Sequence, residues 1–146
     1  MVKIPEFDAV EFYNLSIKIA EKFITEAGYR TAIGRAYYAC HLIGVDSTRT
    51  KGWFSPTNRR EDHSGLLRAL KKYGIDEIAD QLGELCRLRE HSDYHVIKCS
   101  SERCESCEAV KLGADLVDEK TWKRAQEIAN NILPLLRSIK PSSSRA

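Results

Sequence analysis

No run of apolar residues in this chain approaches the roughly 20 needed to cross a bilayer. The opening Met1-Val2-Lys3-Ile4-Pro5-Glu6 has neither the apolar stretch nor the small-residue cleavage site of a secretory leader. Strand signals are nearly absent: no segment alternates apolar and polar residues between turn residues as a hairpin does. Charge of one sign is missing too, because 23 Lys and Arg stand against 21 Asp and Glu for a net charge of +2. Any basic footprint for nucleic acid must therefore come from local clustering. There is no Walker loop, no G-x-G-x-x-G after a strand, no G-x-S-x-G and no H-E-x-x-H, so the best-marked routes to nucleotide-dependent transfer and serine hydrolysis are closed. Five cysteines are an odd number, unlike the even framework of a small secreted domain. The expectation from these absences is a cytoplasmic protein with reduced thiols and no membrane association.

What the chain does contain is helical periodicity. Its 146 residues, 42% hydrophobic and 30% charged, suit one ordered domain, here taken as residues 1–140 with a disordered tail over 141–146. Asp8 followed by Glu11 reads as a capping box opening a first helix, whose apolar stripe would be Phe12, Leu15, Ile19 and Phe23, with Gly28 ending it. A second helix is expected from Tyr29 to Ile43, stopped by Gly44. A long basic and aromatic loop follows over 45–62. Short periodicity then predicts a helix over 63–73, Gly74 as a separator, and a fourth helix over 75–96 with Asp76 and Glu77 favoured in its first turn. After a cysteine-bearing segment, 98–113, a last amphipathic helix starts between Ala114 and Thr121. Pro134 should kink or interrupt it. The fold class is all-α, an up-and-down bundle of four or five helices.

Three stretches, in this order, carry a resemblance: Gly34-Arg35-Ala36-Tyr37-Tyr38-Ala39-Cys40-His41, His63-Ser64-Gly65-Leu66-Leu67, and Leu85-Cys86-Arg87-Leu88-Arg89-Glu90-His91-Ser92-Asp93-Tyr94-His95. Together with the final helix they resemble the HEPN family over roughly residues 8 to 138. Many members are metal-independent ribonucleases whose signature is an arginine followed, four to six residues on, by a histidine. Arg89 and His95 match it. The resemblance implies a homodimer whose two motifs share one cleft, RNA as substrate and no cofactor. It further implies a minimal nucleotidyltransferase partner of the toxin–antitoxin kind, with Tyr94 as the residue such a partner would modify.

The residue types suffice for that chemistry. A histidine near neutral pKa can take or give a proton, and an arginine can hold a phosphate through paired hydrogen bonds. Arg87, His91 and Tyr94 recur at spacings of three and four and, with Arg35, could bind substrate; a solvated polar face has the same pattern. On a straight helix Arg89 and His95 lie about 120° apart, whereas Arg89 and Asp93, at i and i+4, could form a structural ion pair. Glu90, where the family usually has Asn, Asp or His, would repel phosphate.

A second class of function stays open, a non-catalytic binding or regulatory module. Cys99, Cys104 and Cys107 with His95 make a valid tetrahedral zinc set, and zinc held there would deny His95 a proton-shuttling role. Cys40 and Cys86 read as small core residues, and Tyr37 as a core residue with its hydroxyl paired. Arg49, Lys51, Arg59 and Arg60 with Trp53 and Phe54 mix charge with stacking surface, as single-stranded RNA requires and as a merely soluble loop also has. His63 reads as a helix start and no more.

Overall fold

The computed structural model describes residues 7–94 and 116–139. Within them the chain is an all-α bundle of five helices without a strand: α1 (Val10–Lys22), α2 (Glu26–Thr50), α3 (Asp62–Lys72), α4 (Asp76–Tyr94) and α5 (Glu119–Ser138). No helix among these residues is long and apolar enough to cross a membrane. The 25-residue α2, about 37 Å long at 1.5 Å per residue, packs against each of the other four helices. Its small residues Ala32, Ala36, Ala39 and Gly44 allow that close approach, and Ile33, Tyr37 and Cys40 fill the centre. Facing them are Leu66 and Leu70 of α3, Leu82 and Leu85 of α4, and Ile128, Ile132 and Leu136 of α5, all wholly buried. Each such side chain contributes roughly 1.5–3 kcal/mol on leaving water.

Two glycines expected to end helices lie inside one. Gly44 is in the middle of α2, where a Cβ would stand 3.0 Å from Leu66 Cδ2 and 3.4 Å from Leu136 Cδ2. It is there for packing, and α2 runs on past it to Thr50, with the buried Thr48 hydroxyl donating to the Gly44 carbonyl at 2.7 Å. Gly28 lies in the first turn of α2, where a Cβ would collide with the Phe23 carbonyl. Its N–H is accepted by the side chain of the N-cap Thr25. The stops are elsewhere. Gly52, at φ 75°, lets its own N–H reach Arg49 O and the Trp53 N–H reach Thr48 O. Gly74, at φ 80°, does the same for α3 through Lys71 O and Leu70 O. Both follow the left-handed C-terminal pattern that satisfies the last carbonyls.

The connection between α2 and α3 is consequently shorter than the expected 45–62. Asp62 accepts from Thr57 N and Oγ1 and from Asn58 N, at 2.7 to 2.9 Å. Trp53 stacks on Tyr73 with ring centres 4.5 Å apart, and Phe54 lies against Gly65. Both rings are half-buried in packing, so they do not offer the open stacking surface that the sequence suggested.

α1 is rotated relative to its expected stripe. Tyr13, Ser16 and Ala20 are buried, whereas Leu15 and Phe23 are 45% and 55% exposed. The inward residues carry hydroxyls that find partners: Tyr13 with the side chain of Asn130, and Ser16 with Tyr13 O at 2.6 Å. Asp8 accepts from Val10 N, and no capping box forms there. α5 begins within the expected window, with Asp118 and Thr121 as a reciprocal capping box. It runs unbroken through the exposed Pro134, so of the expected kink or interruption the interruption does not occur.

Candidate functional site

A cleft of about 1000 Å³ opens between the start of α3 and the second half of α4. On α4, Gly83, Arg87, Glu90 and Tyr94 recur at spacings of four, three and four, so one helical face forms a wall, with Cys86 and Arg89 beside it. Arg60, Glu61, His63, Ser64 and Leu67 form the other wall. Three arginines against two glutamates leave it weakly cationic.

Arg89 is the best-held cation in this wall. Its Nε is 3.0 Å from Asp93 Oδ2, and the side chain is only 18% exposed. Its Nη2 donates to the Tyr94 hydroxyl at 3.2 Å. The guanidinium lies over the Tyr37 ring at 5.7 Å and the Tyr94 ring at 5.2 Å. The expected Arg89–Asp93 pair thus forms, but at the edge of a cleft and not in the core. Gly34 of α2 makes room for it, since a Cβ there would stand 3.3 Å from Asp93 Oδ1.

Beneath Arg89 lies a cluster that sequence spacing did not reveal. The buried Tyr37 hydroxyl is 2.5 Å from His63 Nδ1 and 3.5 Å from His41 Nδ1, and the two imidazoles are 4.5 Å apart. Burial is the main cause of each shift here. It raises the Tyr37 pKa well beyond its ordinary value and lowers that of His41 to about 4, with His63 nearby adding to the effect. It also lowers the pKa of His63, helped by the Arg89 charge. Burial pushes the Cys86 thiol up as well. These are neutral side chains at pH 7, set against a fixed cation. The one local hint was the Tyr37–His41 spacing of four on a single helix. His63, 26 residues further on, has no such signal.

Of the other expected site residues, Arg87 and Tyr94 reach the cleft. Arg87 lies against Gly83, where a Cβ would be 3.4 Å from Nη1. Its Nε is buried without a hydrogen-bond partner among the described residues. Tyr94 is 67% exposed at the rim. His91 does not reach the cleft. It is wholly buried on the core side of α4, and its carbonyl, with that of Ser92, accepts from Arg30 Nη1 at 3.1 and 2.9 Å. Arg35 does not reach it either. It sits two positions, about 200°, from Tyr37 on α2, and its guanidinium lies 5.5 Å from both the Phe12 and Tyr38 rings.

His95, Cys99, Cys104 and Cys107 lie outside the described residues, as do the end expected for α4 at residue 96, the segment 98–113 and the tail 141–146. Among the described residues no group of His, Cys, Asp or Glu is arranged to hold a metal ion. Cys40 and Cys86 are buried free thiols, as expected of core residues. No family model, no curated protein and no solved structure matches this chain.

Proposed function

We propose that this protein is a metal-independent endoribonuclease of the kind its resemblance to the HEPN family implies, acting as a homodimer on RNA. The observation that carries the reading is Arg89. It stands in the wall of a cleft against two aromatic rings, braced by Asp93, with Arg87 and Arg60 nearby. A guanidinium fixed in that way is suited to a phosphodiester and to the charge that builds on its oxygens during cleavage. In this reading His95, the next residue in the chain after Tyr94, is the acid–base group. The 67% exposure of Tyr94 also leaves it accessible to a minimal nucleotidyltransferase partner that would silence the site by modifying it.

The test is RNA cleavage in EDTA by wild type and by His95→Ala. Cleavage that survives the chelator and disappears in the variant is expected; equal cleavage by both sinks the role of His95. A second reading, a non-catalytic binding module, is favoured by Glu90 in the same wall and by the engagement of Arg89 with Asp93. Absence of cleavage by folded, dimeric protein unmodified at Tyr94 would select it. Stoichiometric zinc lost on mutating Cys104 and Cys107 would strengthen it further.

A further inference from the structure

We propose that His63 is a catalytic residue of the cleft between α3 and α4, exchanging the proton of the RNA 2′-hydroxyl through its Nε2 while Tyr37 holds the ring. This rests on the ribonuclease reading and divides its proton transfers, giving the 2′-hydroxyl a base of its own and leaving the acid–base group of the motif to the leaving oxygen. Three observations converge on it. His63 lines the cleft. Its Nδ1 is committed to the Tyr37 hydroxyl at 2.5 Å, which leaves Nε2, on the opposite side of the ring, as its exchangeable nitrogen. The same Tyr37 ring lies under the Arg89 guanidinium, so one buried side chain spaces the imidazole from the phosphate-holding cation.

A hydroxyl has one hydrogen and two lone pairs. Placed between His63 Nδ1 and His41 Nδ1, the Tyr37 hydroxyl can accept from the first and donate to the second. His63 is then the tautomer with a lone pair on Nε2. The charged and titratable groups around it are His41 and Tyr37 on α2, Arg60 just before α3, Asp62 at its start, and Cys86, Arg89 and Glu90 on α4. In the reaction, Nε2 takes the 2′-hydroxyl proton as that oxygen bonds to phosphorus. The phosphorus–5′-oxygen bond breaks, and the leaving oxygen takes a proton from the acid of the ribonuclease reading. His63 then returns its proton to that acid through water. The products are a 2′,3′-cyclic phosphate and a 5′-hydroxyl, with atoms and protons balanced.

The experiment compares wild type, His63→Gln and His63→Ala in EDTA, on an RNA oligonucleotide and on a 2′-deoxy analogue that binds without being cut. Each protein is checked by thermal unfolding. His63→Gln is expected to lower kcat by about 10²- to 10⁴-fold, leave the Kd for the deoxy analogue within about threefold, and abolish the acid limb of the pH–rate profile. Retention of kcat within about threefold overturns the proposal and leaves the ribonuclease reading standing. Lack of cleavage by wild type overturns both. Should either variant unfold, nitrogen NMR of the wild-type histidines decides. A His63 Nε2 resonance shifted by the deoxy analogue supports the proposal, and an unmoved one overturns it.

Discussion

Two arginines in this bundle each lie against two aromatic rings, on opposite sides of α2. Arg89 has Tyr37 and Tyr94, and Arg35 has Phe12 and Tyr38, all at centroid distances between 5.2 and 5.7 Å. By that measure they are alike. They differ in what else converges on them. Arg89 has a carboxylate bracing its Nε, two imidazoles linked to the tyrosine beneath it, and an open cleft in front. Arg35 lies over rings at the seam of α1 and α2, with Phe7 extending the aromatic edge at 5.1 Å from Phe12. A cation over a ring is a packing device worth about 0.5–1 kcal/mol at partly exposed sites. Convergent polar groups around a cavity distinguish a site from such a device.

Substitutions can break this contrast or sharpen it. The largest effect is expected from Arg89→Ala, which removes the cation from the cleft and should lower RNA cleavage by about 10²- to 10³-fold. Arg35→Ala should leave cleavage unchanged and lower unfolding stability by no more than about 1 kcal/mol. Equal losses of cleavage in the two variants would erase the distinction.

Next in size is a pH effect. His41 has a folded pKa of about 4 against an ordinary value of 6.5, so the unfolded chain binds a proton that the native state refuses. Stability is whole above pH 6.5 and is lost as pH falls from there towards 4, by an amount on the order of 3 kcal/mol. His63, shifted the same way, adds to the loss. Urea midpoints at pH 7.5 and 4.5 should show the drop in wild type and a smaller one in His41→Gln. A wild type that is indifferent to pH would contradict the burial of this cluster.

The smallest effect is expected from Glu90→Gln, which removes a negative charge from the cleft wall. It should tighten binding of a 2′-deoxy oligonucleotide by a few-fold at low salt and by less as salt rises. Titrations at two ionic strengths measure it.

The helices were legible where their signals were local. The 3.6-residue periodicity placed α3 and the start of α4 within one residue and put the start of α5 inside the window 114–121, and the Arg89–Asp93 pair followed from i, i+4 spacing. Glycine misled where its purpose was contact. Gly28 and Gly44 looked like Gly52 and Gly74 in sequence, but a missing Cβ can serve a close neighbour as well as a left-handed turn. His91 misled because a stripe at three and four does not say which side of a helix its neighbours cover. The cluster of Tyr37, His41 and His63 joins α2 to the start of α3 across a tight loop, and no spacing along the chain encodes that meeting.

One contact outside the cleft bears on how firmly its wall is held. On α4 the carbonyls of His91 and Ser92 accept from the buried guanidinium of Arg30, which reaches across from the first turns of α2. Arg30 is itself paired with Glu26 at 3.5 Å. Arg89, Asp93 and Tyr94 all lie within three residues of those two carbonyls. A buried cation that must keep its acceptors ties this stretch of α4 to α2. The cation in the cleft is therefore steadied from behind, by a residue that does not line the cleft.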